Sequence, residues 1–459
     1  MEVDMEISKE KIFSNTEKHR EMMLEALEYI WNNPETGYRE WKTDAYMSGM
    51  FEKLGYKLTK AGNIPGFFTD LDTGRPGPKV LIMGELDSLI CENHPESDKE
   101  THAVHACGHN AQCAALLGVA AALKEPGALD DLAGSIRLMA VPAEELIEIA
   151  FREQLRKEGI ISYFGGKVEF MKRGYMDEVD LAFMVHTTSD LEPGTVSFGK
   201  GGNGCVTKNL EFKGVSAHAG GAPHLGVNAL YMASQAFSAV NALRETFRET
   251  DTTRVHPIIT KGGDAVNAIP DVVKVESYVR GASLNAIIEV NNKINRAVAA
   301  SAASLGGGVV IHDRPGYTPL NNDVNLLKIA EEIISETIGR EKTVVSYEKW
   351  STGCTDMGDV STVIPAIHPY CSGASGASHG SDYYITDPES ACVLSAKTQT
   401  LLVTRLLEND AAKAKYVIGN FNPIYKTMDE FFEAISVLNR DKDAVIYNRD
   451  STVTLDFIK

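Results

Sequence analysis

The chain has 459 residues, 43% hydrophobic and 24% charged, with Lys+Arg 45 against Asp+Glu 63 and a formal net charge of −18. At roughly 150 residues per domain this length allows two or three domains with full cores, which excludes a disordered, collagen-like or disulfide-stapled chain. So acidic a surface repels phosphate backbones and anionic bilayers, so no nucleic acid and no membrane is expected as partner, while small anionic substrates held by local groups stay compatible. The cysteines Cys91, Cys107, Cys113, Cys205, Cys354, Cys371 and Cys392 are odd in number and form no CxxC pair, which points to a reducing, cytoplasmic setting. The N-terminal MEVDMEISKEKIF mixes both charge signs and has no apolar run of the signal-peptide kind.

Residues 15–33 place Met23, Leu24, Leu27, Ile30 and Trp31 in an apolar stripe at helical spacing, and 41–54 reads as a second helix that stops at Gly55. Residues 80–84, 135–141 and 181–185 read as buried strands, with an Ala/Leu-rich helix at 110–124 between the first two. Strands alternating with helices predict an α/β fold with a mostly parallel sheet, where ligands collect at the carboxyl ends of the strands. The middle of the chain then changes character. It reads as strand 206–212, helix 225–248, strands 254–260 and 272–279 around Gly262-Gly263-Asp264, helix 285–304 and strand 308–312. That β-α-β-β-α-β order is the order of a ferredoxin-like unit. The expected organisation is a mostly parallel-sheet domain, residues 1–203 and 319–459, interrupted by a smaller inserted domain, 204–318. Helices at 323–338 and 390–407 complete the first domain, and the charged tail after Glu408 has no assigned role.

His105-Ala-Cys107-Gly-His109 stands just before the Ala/Leu helix. Thiolate and imidazole both suit zinc-like metals, yet a CxH pair alone also describes a buried thiol beside a capping histidine. The PCxxC partner of a deaminase-type zinc site is absent. Val141-Pro-Ala-Glu144-Glu145 follows a hydrophobic strand: one carboxylate can hold a metal while the other acts as general base. Taken alone, the pair is better described as an acidic first turn of a helix running on through Phe151. His186 ends another apolar strand and alone reads as a core histidine, while His379, in GASHGSD, sits on a surface loop by composition. Convergence changes the reading. Cys107, His109, Glu145 and His186 come from successive strand ends of one sheet, and Glu85 and Asp87 end another, where they would orient ligands.

NNPETGYRE, GELDSL, HACGHN, PAEE, GVSAHAGGAPHLGVNAL, NAIPD and TDMGDVS followed by IHPY form an ordered set along the chain. With that set, residues 15–410 resemble the di-metal aminoacylase and carboxypeptidase-type amidohydrolases. The branch is that of aminobenzoyl-glutamate hydrolase, indole-acetyl-amino-acid hydrolase and the β-alanyl-lysine-type dipeptidase. The resemblance implies two divalent ions per chain, Zn or Mn, held by Cys107, His109, Glu145, His186 and His379, with Cys107 between them. It implies Glu144 as general base and acid, with Asp87 behind the ligands and Glu85 where other branches carry a histidine ligand. His218, in Ser-Ala-His-Ala, matches the histidine that helps stabilise the tetrahedral oxyanion, often from the partner subunit of a homodimer. Asn267 and Arg280 match positions that hold a substrate carboxylate, a job suited to a guanidinium fork, although Arg280 reads equally as a surface strand arginine. The larger domain would then be catalytic and the inserted one a lid and dimerisation domain.

Cleavage of the amide bond of an N-acyl, aminobenzoyl or aminoacyl amino acid is the expected activity. A dipeptidase with the same mechanism is the alternative; a catalytically silent metal-binding protein is a further one, against which the complete ligand set with Glu144 argues. A nucleotide-binding protein would need a Walker loop or a GxGxxG at a strand–helix turn, whereas Gly199-Lys-Gly-Gly-Asn-Gly204 precedes a strand. One departure stands out. In the nearest relatives a Gly-Gly-x-Gly-Lys stretch follows the paired glutamates almost at once, but here Gly165-Gly-Lys167 comes after the inserted residues 146–164. That insert reads as a helix, expected to line the substrate pocket or the dimer contact, or else to be a plain surface helix.

Overall fold

The structure, a computed structural model, describes residues 8–457; the beginning of the mixed-charge N-terminal stretch read above, residues 1–7, lies outside them. The chain forms two compact units. The first takes the chain up to Gly201, Asn321–Trp350 and Asp359–Met428; the second takes Gly202–Leu320, Ser351–Gly358 and the chain from Asp429 on.

In the first unit a six-stranded sheet has the order Thr59–Lys60, Phe67–Asp72, Ser135–Val141, Lys79–Glu85, Leu181–Phe183, Ala366–Ile367. The last four strands run parallel, but Phe67–Asp72 is antiparallel to both of its neighbours. The sheet is therefore mixed rather than mostly parallel. The strand that makes it so is the second from the edge, with alternating burial, and nothing like the continuous apolar runs of the central strands announces it. Glu85 pairs with Val141 and Gly84 with Ala140, so the chain leaves both strands at one edge of the sheet. The helix His109–Leu123 is buried along its whole length, which explains its Ala-rich composition: only small residues let sheet and helices close on it from every side. The first predicted helix is two, Lys9–Glu17 and Arg20–Trp31.

The second unit is an antiparallel sheet in the order Arg254–Val255, Val272–Gly281, Gly204–Lys213, Gly308–Pro315, Arg440–Asp443, with Ile258–Lys261 also paired to Val272–Gly281. Helices Ala229–Leu243 and Leu284–Ser304 share one core with it, formed by Val206, Leu210, Phe212, Val240, Ile287 and Ile294 among others. The chain from Asp429 on was expected with the first domain and is instead built into this unit. Arg440–Asp443 adds a strand beside Gly308–Pro315, and Leu438 and Ala444 enter the core. Arg440 also reaches Asp313 (3.3 Å), which is fully buried and accepts from Asn291 (2.8 Å) and Asn295 (3.0 Å) and pairs with Lys208. A short charged strand gives no sequence signal of its own; its partner edge supplies the reason it is ordered. Among the described residues no helix is long and apolar enough to cross a membrane.

Candidate metal centre

At the carboxyl edge of the first unit's sheet, donor atoms of Cys107, His109 and His186 lie within 4.8 Å of one another, as do those of Cys107, Glu145 and His379. The groups share the Cys107 sulfur. Each ring is aimed by a bond from its other nitrogen. His109 donates from Nδ1 to the Asp87 carbonyl (2.9 Å) and His186 from Nδ1 to the Thr187 carbonyl (2.6 Å), which turns His186 Nε2 to the Cys107 sulfur (3.5 Å) and His109 Nε2 towards Glu85 (3.1 Å). His379 comes from the loop between Ala374–Ser375 and Tyr384–Ile385, its backbone at φ 64 and its N–H bonded to the Ala106 carbonyl (2.8 Å). Its Nε2 is 3.2 Å from Glu145 Oε1. On the far side of Cys107, Tyr383 donates its hydroxyl to the Cys107 carbonyl (3.0 Å). Gly108, at φ 96, leaves room for that hydroxyl: a Cβ would stand 2.5 Å from it.

The paired glutamates are not the first turn of a helix. Residues 142–148 are an irregular turn, and the helix of the insert starts only at Ile149. Ala143 takes φ 56, and the turn is tied on several sides. The Ala143 N–H goes to the buried Glu40 carboxylate (2.7 Å), the Glu145 N–H to Asp87 Oδ2 (2.8 Å), and the Ala143 carbonyl accepts from Gly166 (3.1 Å). Glu144 and Glu145 therefore project independently, Glu144 with Oε2 3.9 Å from His109 Nε2.

Burial and like charge would empty such a cluster, and opposite charge holds it. Burial and Glu145 push the Cys107 thiol up, yet His109 and His186 outweigh them and bring it down to about 6. Glu145 is lowered to about 2: burial raises it, His379 overrides. His379, set mainly by Glu145, rises to about 11. Glu85 is fully buried and lies 3.1 Å from His109 Nε2, but its other contacts are Lys167 and Gln112 (2.9 Å). Burial raises its carboxyl, and Lys167 and then His109 hold it below the usual range. Several atoms within this cluster are buried without a hydrogen-bond partner: His109 Nε2, Glu145 Oε1 and Asp87 Oδ1. His109 Nε2 and Glu145 Oε1 sit at ion-pair distance from neighbours without hydrogen-bond alignment. A soft thiolate, imidazoles and a carboxylate, converging with orphaned lone pairs, fit divalent metal ions of the zinc kind.

The profile of the peptidase family M20/M25/M40 matches residues 81–405, well over half of the chain. The chain belongs to this family. Relatives include a mouse Xaa-Arg dipeptidase, 27% identical over 80% of this chain and 80% of the relative. The N-acetyl-L-cysteine deacetylase of Bacillus subtilis is 29% identical over 64% and 68%. A Bacillus subtilis dinuclear metal-binding peptidase of the M20 family shares the fold with a TM-score of 0.62, at 20% identity over 85% of this chain and 99% of its own. As an M20/M25/M40 member with hydrolase relatives, the protein is a hydrolase acting on amide bonds.

The other expected residues of this M20-family chain lie in the second unit. His218 and Asn267 stand on adjoining backbone, with a bridge between His218 and Ala268 and the Ala219 N–H on the Asn267 carbonyl (3.0 Å). Arg280 is half-buried opposite Cys205 on the neighbouring strand, its guanidinium 5.5 Å from the Tyr278 ring. Around the metal cluster, sequence reading missed several groups. His368 stacks on Tyr370 (5.1 Å) beside His186 and is lowered to about 3 by burial and then His186. His105 is lowered to about 3 by burial and His109. Glu40 and Lys167 lay inside quoted motifs, which was the available signal; their roles depend on burial, which spacing does not report.

Proposed function

We propose that the protein is a di-metal amidohydrolase that cleaves the amide bond of N-acyl, aminobenzoyl or aminoacyl amino acids. The observation that carries this reading is the pair of donor groups sharing Cys107, with Glu144 beside them. Cys107, His109, Glu145, His186 and His379 would hold two divalent ions, Zn or Mn, which supply Lewis acidity to the amide carbonyl and lower the pKa of water towards ~7. Glu144 takes the proton of the attacking water and returns it to the leaving nitrogen. Asp87 and Glu85 hold His109 and the Glu145 backbone in place from behind.

His218 supplies a hydrogen bond to the developing oxyanion. Its Nδ1 accepts from the N–H groups of Gly220 (3.2 Å) and Gly221 (3.0 Å), so the ring proton belongs on Nε2, an assignment made from these bonds. Arg280 and Asn267 hold the substrate carboxylate. The second unit serves as a ferredoxin-like lid and homodimerisation domain. Its exposed edge strand Ile258–Lys261, together with exposed Leu225, Tyr231 and Val266, supports a contact with a second copy. All cysteines being free supports a cytoplasmic setting.

The test is metal content and turnover together. Protein purified without chelator and reloaded with zinc or manganese is expected to hold two ions per chain by elemental mass spectrometry. It is then expected to hydrolyse N-acyl amino acids or aminobenzoyl-glutamate. Activity only on substrates with a free amine selects the dipeptidase reading, as the name of the mouse relative suggests. Folded protein that retains no metal overturns the mechanism and leaves a silent binding protein.

A further inference from the structure

The insert 146–164 separates the paired glutamates from Lys167, and its helix, Ile149–Lys157, carries a fully buried arginine. A guanidinium at zero exposure is costly unless its donors are used. Arg152 gives one terminal nitrogen to the Phe164 carbonyl (2.7 Å) and the other to the carbonyl of Glu145. A leucine or methionine would pack such a helix at lower cost, so packing alone does not account for this residue. Space has been left for it: a Cβ on Gly37 would overlap Nη2, and the Tyr38 ring lies 5.6 Å from the guanidinium.

The consequence falls on Glu145. Its N–H is held by Asp87 Oδ2 (2.8 Å) and its carbonyl by Arg152 and by the Ile147 N–H (2.9 Å), so the peptides on both sides of its Cα are fixed. That fixes the point and the direction in which the Glu145 side chain leaves the backbone towards Cys107 and His379. We infer that Arg152 is a positioning residue, through which the insert holds Glu145 in place for one of the two ions. The inference rests on the di-metal reading above. The same insert has a second fastening, nearer the surface, where Glu148 pairs with the exposed Arg39 and with the Thr36 hydroxyl and Arg39 lies over Phe151 (3.7 Å). That clamp anchors the helix without touching Glu145, which makes it the control.

The experiment is calorimetric titration of chelator-stripped full-length protein with zinc alone. It compares the natural chain, Arg152→Met, Arg152→Lys, Glu145→Gln and Glu148→Gln, with circular dichroism and thermal midpoints recorded before metal is added. The natural chain is expected to show two binding events. Removing an outer partner of a ligand weakens metal binding about 10–100-fold. Arg152→Met is therefore expected to weaken one event by that factor and leave the other within about 2-fold, the pattern Glu145→Gln also gives. Arg152→Lys keeps the charge but has no fork to reach both carbonyls, so an intermediate loss is expected; it carries the test should Arg152→Met not fold. Glu148→Gln is expected to leave both events unchanged. Both events intact in the Arg152 variants, or both weakened in parallel, overturns the positioning role. Absence of both events in the natural chain overturns the di-metal reading itself, and the inference with it.

Discussion

The backbone bonds that tie the turn down belong to Ala143 and Glu145, on either side of Glu144. Glu144→Ala is accordingly expected to cut turnover about 10²–10⁴-fold while metal content and circular dichroism stay those of the natural chain. Steady-state kinetics beside elemental analysis checks it, and appreciable residual activity would remove the general-base role. The contrast with Cys107 is instructive. Cys107→Ser replaces the one atom common to both donor groups by a far poorer ligand, so metal retention should fall, read as ions per chain after dialysis. That Cys107, His109, Glu145, His186 and His379 converge was legible because few residue types suit metal ligation and the fold brings these to one edge of the sheet. His368, Glu40 and Arg152 were not. A stacked neutral imidazole, a buried carboxylate on an N–H and a guanidinium on two carbonyls owe their roles to burial.

The elements were legible where they are buried on every side. Val80, Leu81, Ile82 and the Ala-rich helix announce themselves as continuous apolar runs, whereas Phe67–Asp72, one place in from the edge, and the edge strand Arg440–Asp443 are half-exposed, and their order comes from a partner far along the chain. Phe67–Asp72 is fastened through Asp70, whose carboxylate takes Arg137 Nε and Nη2 (both 2.6 Å) and Lys79 Nζ (3.0 Å). Burial raises the Asp70 carboxyl, and the bonds from Arg137 and Lys79 bring it below its ordinary value. A depressed folded-state pKa adds stability that is present above the unfolded value and is lost as pH falls through the folded one. Asp70→Asn is therefore expected to cost about 1 kcal/mol near neutral pH, held to that size because the site is partly solvated. The difference should vanish below the ordinary carboxylate range, read as urea midpoints of stripped protein across that interval. The tail makes an independent case. Ending the chain at Met428 would bare the Gly308–Pro315 edge and withdraw Leu438 and Ala444 from the core. Association by light scattering and a lower thermal midpoint are expected.

For the molecule as a whole, the proposed mechanism draws its residues from both units. The donor cluster and Glu144 belong to the first, and the residues proposed for the oxyanion and the substrate carboxylate, His218, Asn267 and Arg280, to the second. On that proposal the site could be completed within one chain or across a pair, and the proposed homodimer makes the two cases separable by arithmetic. His218→Ala alone is expected to lower turnover about 10²–10³-fold, the cost of losing one oxyanion donor, with metal content unchanged. Glu144→Ala is nearly inactive for a different reason. When equal amounts of the two variants are unfolded together and refolded, half of the dimers are mixed. If His218 serves its own chain, every site in the mixture lacks one group or the other and activity stays at the level of the variants. If it serves the partner, each mixed dimer has one site with both groups intact, so the mixture should recover about one quarter of the natural activity. Recovery near that fraction, together with a dimer by size-exclusion chromatography with light scattering, would establish both the assembly and the origin of the oxyanion donor. No recovery from a verified mixed dimer would place His218 in cis.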